Sequence, residues 1–200
     1  MVAVTTMEKR TASLTRKTRE TEISMTVCPD TPGDIAISTG LPFFDHLLHA
    51  MAFHGGMTLS VRASGDLEVD PHHLVEDVGL VLGTLLDQWL EAHGPVERFG
   101  SAEAPMDEAL ARVVIDVCGR PTSVLRADLP QTRAGTFDLY LVREFWVALA
   151  GRARISLHGL VEYGENAHHM VEALFKALGM ALHRSYTPRE GVRSTKGRLD

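Results

Sequence analysis

Two short stretches of this sequence carry metal-binding residue types at matched spacing. His72-His73-Leu74-Val75-Glu76 and His168-His169-Met170-Val171-Glu172 each join a histidine pair to a glutamate. The likeness continues as HHLVEDVGLVLG from His72 and HHMVEALFKALG from His168, offset by 96 residues (168 − 72). Residues four apart share a helix face, so His72 and Glu76 can grip one ion, and His168 and Glu172 another. Neighbours along a helix point about 100° apart. His73 and His169 must therefore serve other sites than their neighbours do. The symmetric solution places His72, Glu76 and His169 on one ion and His168, Glu172 and His73 on a second. A neutral imidazole gains nothing from the dipole at a helix N-terminus, so capping explains the pairs poorly. The shorter helices offer a fourth ligand to each set. His46 lies 26 residues before His72, and Glu144 lies 24 residues before His168 on the equivalent helix. Imidazole and carboxylate without thiolate suit Mn, Fe or Zn, and an octahedral site with open positions favours Mn.

The elements that must position these groups follow from periodicity and turn residues. Strand alternation marks 20–28, a second short strand covers 34–38, and alternation returns over 57–63. A helix is expected over 42–54, with Pro42 at its start and Gly55-Gly56 as its stop. A long amphipathic helix follows over 71–92, with Asp70 as N-cap and Pro71 at the first position. Strands at 111–117 and 121–128, a helix at 138–150, a strand at 154–161 and a long helix at 166–185 repeat that order. Shifting 42–54 by 96 gives 138–150, so the duplication spans whole supersecondary units. The expected fold is α+β: two β-β-α-β-α halves, about 10–93 and 94–187, each a mixed sheet with its helices on one face. A polar, basic tail over 187–200 completes a single domain.

Composition narrows the function. The chain has 200 residues, 44% hydrophobic and 23% charged, as a globular protein does. A net charge of −6 argues against nucleic acid as the main partner. The two cysteines, Cys28 and Cys118, form no paired motif and fit a reducing cytoplasm. The N-terminal stretch lacks the apolar core of a signal peptide, and no apolar run approaches a membrane span.

Several further motifs occur in order: Pro42-Phe43-Phe44-Asp45-His46, Pro105-Met106-Asp107-Glu108-Ala109-Leu110, Cys118-Gly119-Arg120-Pro121, Gly164-Glu165-Asn166-Ala167-His168-His169 and Ser194-Thr195-Lys196-Gly197. With the two histidine pairs they make the chain, from about Arg16 to Leu199, closely resemble the imidazoleglycerol-phosphate dehydratases of histidine biosynthesis. The resemblance implies a carbon–oxygen lyase with two Mn²⁺ per active site and a duplicated fold of the ribosomal protein S5 domain 2 type. It also implies active sites at subunit boundaries of a homo-oligomer, the family's 24-subunit assembly. It assigns His46, His73, His168 and Glu172 to one metal, and His72, Glu76, His169 and the position of Glu144 to the other. Some relatives carry histidine where this chain has Glu144.

The implied reaction removes water from imidazole glycerol phosphate to give imidazole acetol phosphate. No carbonyl activates the proton that leaves, so the imidazole ring must supply the electrons that expel the hydroxyl. Metals would act as Lewis acids and templates. The resemblance makes Glu20, in Arg16-Lys17-Thr18-Arg19-Glu20-Thr21, the candidate acid/base. Glu76 and Glu172 read better as ligands than as free bases, though both belong to the reacting site. His46, His54, His72, His73 and Glu76 are expected to touch substrate. Arg98, Arg120 and Ser194-Thr195-Lys196 fall in the family's phosphate-binding motifs, with Lys176 a further cation on the second long helix. Arginine suits bidentate phosphate contacts and lysine supplies a point charge. Two rival readings use the same metal residues: a metal-dependent hydrolase, and a non-enzymatic assembly protein whose closed metal sites act as clips. The clustered cations argue against the second.

Overall fold

The computed structural model describes residues 2–8 and 10–195. A five-stranded sheet contains β1 (Val2–Glu8), β2 (Thr11–Lys17), β3 (Thr21–Cys28), β4 (Ile35–Ser38) and β5 (Thr58–Gly65), in the order β1-β2-β3-β5-β4. A four-stranded sheet contains β6 (Phe99–Met106), β7 (Ala109–Asp116), β8 (Thr122–Arg126) and β11 (Ser156–Tyr163), in the order β6-β7-β11-β8. Between β8 and β11 in sequence lies a two-stranded hairpin, β9 (Arg133–Ala134) with β10 (Phe137–Asp138). The helices are α1 (Pro42–Gly55), α2 (His72–His93), α3 (Leu141–Ala153) and α4 (Ala167–Tyr186).

The two sheets have one topology. β5 is antiparallel to β3 and parallel to β4, and β11 is antiparallel to β7 and parallel to β8. The first half opens on two strands more than periodicity suggests, β1 and β2, and the second on one, β6, which matches β2. β2 and β6 carry polar residues on their outer faces, and the first sheet ties them together there: Ser13 bonds Thr26 at 2.8 Å and Thr15 bonds Ser24 at 3.0 Å. Their inner faces present small side chains, Ala12 and Leu14 on β2 and Ala102 and Ala104 on β6.

The halves interlock through their helices. α2 packs on α3 and α1 on α4, so every helix leans on one from the other half. Glycines set the spacing. A Cβ at Gly179 would fall 1.9 Å from the Met51 carbonyl oxygen, and one at Gly83 would fall 2.7 Å from the Leu149 carbonyl. Around these crossings Trp89, Trp146, Phe44, Phe145 and Phe175 are fully buried. They form the core that joins both sheets to the helices, as expected for aromatic residues at helical spacing.

The internal repeat is registered in two ways. The long helices keep the 96-residue offset, but β5 maps onto β11 at 98 (156 − 58), as do Met51 and Leu149 at the helix crossings. Counted to the histidine pairs, the run after β11 (164–167) is two residues shorter than its counterpart after β5 (66–71). The leading strands map at 88, β3 onto β7 (109 − 21). The difference arises from 127–140, which separates β8 from α3, whereas only 39–41 separate β4 from α1. This insertion also corrects the expected helix at 138–150. Asp138 ends β10 and accepts the Tyr140 N–H at 3.0 Å, so α3 starts at Leu141.

Candidate metal centre and active site

Two helix starts bring the first ligands together. Pro42 opens α1, and Asp45 in its first turn accepts from the Thr39 N–H at 2.9 Å and the Thr39 hydroxyl at 2.6 Å. That clamp fixes the backbone one residue before His46. At α4, Asn166 caps the His168 N–H at 2.9 Å, Gln131 accepts from Ala167 at 2.7 Å, and Glu108 accepts from Glu165 and Asn166 at 3.1 and 2.8 Å. The otherwise unpaired N–H groups of the first turn are thus satisfied, and His168 and His169 leave a fixed backbone.

His46 from α1 meets His168 and Glu172 from α4. The Glu172 Oε2 lies 3.0 Å from His46 Nε2 and 3.3 Å from His168 Nε2, and the three ligand atoms lie within 4.8 Å of one another. An ion bonded at about 2.1 Å to ligands at right angles holds them about 3 Å apart, so these residues fit a divalent cation. Glu172 is buried, with its second oxygen 2.7 Å from the Lys176 ammonium. Burial alone would raise its pKa, but Lys176 and His46 outweigh it and bring the carboxyl down to about 2. The ligand is therefore charged at neutral pH. Phe43 braces His168 edge-on at 4.9 Å. The triad opens on a cavity of about 480 Å³, walled opposite by Ala134, Gly135 and Thr136 of the β9–β10 hairpin.

The other half presents a looser counterpart. His72 Nε2 lies 3.6 Å from Glu76 Oε2, and both side chains are exposed. Glu144, at the α3 position matching His46 on α1, lies beside Tyr140 and its carboxylate raises the pKa of that phenol. Among the described residues these three do not close into a cluster. His73 and His169 join neither set. His73 Nδ1 faces Asp66 at 3.2 Å, and His169 Nδ1 faces Glu108 at 2.8 Å. Those carboxylates raise both imidazole pKa values, and His169 with the Asn166 N–H brings Glu108 down to about 2.

The remaining candidates divide between the two ends of α4: Glu20, His54 and Lys176 lie near the histidines, whereas Arg98, Arg120 and the 193–195 stretch lie toward the far end and are not brought to the triad within one chain. Glu20 sits in the exposed β2–β3 turn, where its charge acts on His73, and it lines an open cavity with Asp66. The motif around it has a structural part: Arg16 pairs with buried Asp77 at 2.5 Å, and the Thr21 hydroxyl bonds the same carboxylate. His54 ends α1 near Lys176, and burial and that ammonium lower its pKa. Arg98 has a positive φ of 71° and is bonded twice to Asp116, at 2.6 and 3.1 Å. It also donates to the Arg193 carbonyl at 2.8 Å, which ties the C-terminal stretch to the start of β6, at the end of α4 away from the triad. Arg120 is exposed beyond β7, Ser194 and Thr195 lie on that stretch, and Lys196 lies outside the described residues. Sequence reasoning missed Asp66, Glu108 and Gln131. Only Glu108 had a signal, its place in the Pro105–Leu110 motif.

Fold and site together define an internally duplicated α+β protein with a histidine–carboxylate centre suited to a divalent metal. Residues 39–182 match the family model of imidazoleglycerol-phosphate dehydratase. The imidazoleglycerol-phosphate dehydratase of Halalkalibacterium halodurans is 49% identical over 193 residues, covering 95% of this chain and 100% of the relative. That of Bacillus subtilis is 48% identical over 193 residues, with the same coverage of both chains. The crystal structure of the Staphylococcus aureus enzyme superposes with a TM-score of 0.80 at 37% identity, covering 90% of this chain and 99% of that one. The Pyrococcus furiosus structure gives 0.81 at 38% identity, over 92% and 99%. The chain belongs to the imidazoleglycerol-phosphate dehydratase family.

Proposed function

We propose that this chain is a hydro-lyase of histidine biosynthesis that converts imidazole glycerol phosphate to imidazole acetol phosphate. The observation that carries the proposal is the His46–His168–Glu172 triad at an open cavity, in a chain of this family. The resident metal is Mn²⁺, two per site. The triad with His73 holds one ion, and His72, Glu76, Glu144 and His169 hold the other. When bound, the metals supply Lewis acidity to the imidazole ring and fix its orientation. The protein's own groups do the rest. Glu20, exposed beside His73, moves the proton on the glycerol carbons as the hydroxyl leaves as water, and the resulting enol tautomerises to the ketone. Glu76 and Glu172 serve as ligands. His54 contacts substrate, and Lys176 beside the triad binds the phosphate end together with Arg98, Arg120 and the Ser194-Thr195-Lys196 segment of a second copy of the chain, with Arg98 held in place by Asp116.

Each single-chain ligand set lacks its odd histidine, since among the described residues neither His73 nor His169 comes within ligand distance of the other half's set. A second copy of the chain supplies them, so the enzyme works as a homo-oligomer, the 24-subunit assembly. Its substrate places it in the cytoplasm. Among the described residues no helix is long and apolar enough to cross a membrane.

The test is turnover of imidazole glycerol phosphate by metal-free protein with and without added Mn²⁺, following the ketone. Turnover that depends on Mn²⁺ is expected. A folded, metal-loaded oligomer that leaves the substrate intact would refute the proposal.

A further inference from the structure

The two histidine pairs share a geometry that the triad does not use. His72 and His73 have ring planes 90° apart with centroids at 6.1 Å, and His168 and His169 are 80° apart at 6.0 Å. In each pair the first ring lies over the glutamate four residues on, and the second is turned off that line. The turned ring always meets a carboxylate through Nδ1. For His73 it is Asp66, with its oxygens at 3.2 and 3.3 Å; for His169 it is Glu108, at 2.8 Å. The Asp107 carboxylate is 3.9 Å from His169 Nε2, beyond hydrogen-bond reach.

A carboxylate that accepts from Nδ1 puts the ring proton there and leaves the Nε2 lone pair outward. This is how metal-binding histidines are commonly oriented. We propose that Asp66 and Glu108 are positioning residues that hold His73 and His169 in the Nδ1–H tautomer, with Nε2 presented to a metal shared with a second copy of the chain. The inference rests on the reading of His73 and His169 as ligands.

The two carboxylates are not copies of one another. Glu108 is the residue before β7, and at the 88-residue offset of the leading strands its counterpart is Glu20, the residue before β3. Asp66 lies instead in the β5–α2 turn, which, counted to the histidine pairs, is two residues longer than the run after β11. The halves therefore hold the same histidine with different elements. In the second half the β6–β7 turn does it, and Glu108 spends its other oxygen on the Glu165 and Asn166 N–H groups. In the first half Asp66 does it, and among the described residues the Glu20 carboxylate has no hydrogen-bond partner, which leaves it for chemistry in the cavity that Asp66 also lines.

The two sites call for different variants. Asp66→Ala removes a side chain whose hydrogen bonds, among the described residues, go to His73 alone. Glu108→Gln keeps shape and size. Its amide oxygen must stay on the two backbone N–H groups, so its NH₂ turns to His169, which must then accept at Nδ1 and carry its proton on Nε2. Mn²⁺ affinity and stoichiometry are measured on the full oligomer, and the histidine tautomers of metal-free protein by ¹⁵N magic-angle-spinning NMR. Each variant is expected to weaken one of the two metals by about 10- to 100-fold. Glu108→Gln should also move one histidine, identified by its loss in His169→Ala, from the Nδ1–H to the Nε2–H form. His73→Ala and His169→Ala separate the two levels of the argument. If they lose a metal while Asp66→Ala and Glu108→Gln bind both as the wild type does, the positioning role is wrong. If they too keep both metals, the ligand reading is wrong and this inference falls with it.

Discussion

Gly179→Ala tests whether the metal centre depends on how closely α1 and α4 cross. The added methyl would sit 1.9 Å from the Met51 carbonyl oxygen and 3.1 Å from the Gly55 nitrogen, both backbone atoms of α1. Restoring ordinary contact requires the helices to part by about 1.5 Å. Overpacking of this kind costs about 1–3 kcal/mol, and alanine returns up to about 1 kcal/mol of helix propensity. The net loss should be about 1–2 kcal/mol in urea unfolding followed by circular dichroism. The functional effect should be larger. His46 rides on α1, whereas His168 and Glu172 ride on α4, and metal sites tolerate displacements of only about 0.2 Å. Mn²⁺ affinity should therefore fall at least about tenfold. Gly151→Ala on α3 is the control: its Cβ would meet nothing within 4 Å, so it should gain up to about 1 kcal/mol and bind metal normally. Unchanged stability and affinity in Gly179→Ala would refute the claim that this crossing sets the ligand spacing.

Asp77→Ala should cost about 3 kcal/mol in thermal or urea unfolding, because it strands Arg16 and the Thr21 hydroxyl in a buried setting. Metal-free protein should lose stability as the pH falls from 4.5 toward about 2. The Glu172 pKa is depressed on folding, so its contribution is complete above the unfolded value and vanishes as the folded carboxyl titrates. Lys176→Met should shift that acid loss to higher pH, because burial would no longer be opposed by the ammonium; identical acid-unfolding curves would contradict it. Arg98→Ala should release the stretch around Arg193 and speed its cleavage in limited proteolysis, with metal content unchanged.

The long helices and their histidine pairs were legible because apolar periodicity and ligand spacing are local properties of the chain. α2 and α4 begin within a residue of expectation for that reason. β2 and β6 were hidden by their Thr- and Ser-bearing outer faces and by inner faces of small residues, which give weak alternation. The start of α3 was misread because Asp138, Leu139 and Tyr140 continue a helical pattern while Asp138 closes the hairpin. The pairing of His46 with His168 and Glu172 followed from the motifs, but Asp66 and Glu108 did not. Their roles depend on how two turns approach two helices, and neither turn bears a pattern of its own. The uniform 96-residue shift failed for the shorter helices because the insertion at 127–140 and the unequal turns before α2 and α4 are visible only when the strands are paired.

The reciprocal crossing of the helices has a consequence for how the molecule can be divided. α1 and α2 have their apolar faces covered by α4 and α3, so neither half is a folding unit. A chain cut near Gly94, between α2 and β6, would yield two fragments that are sticky and unstructured apart yet combine into one body when co-expressed. A tandem gene would not have been needed at the start: two identical half-length chains, each lending its helices to the other, would already have enclosed the same interior. A single chain also lets the halves differ, with the β9–β10 hairpin in the second and the Glu20 turn in the first, a division of labour closed to a symmetric pair.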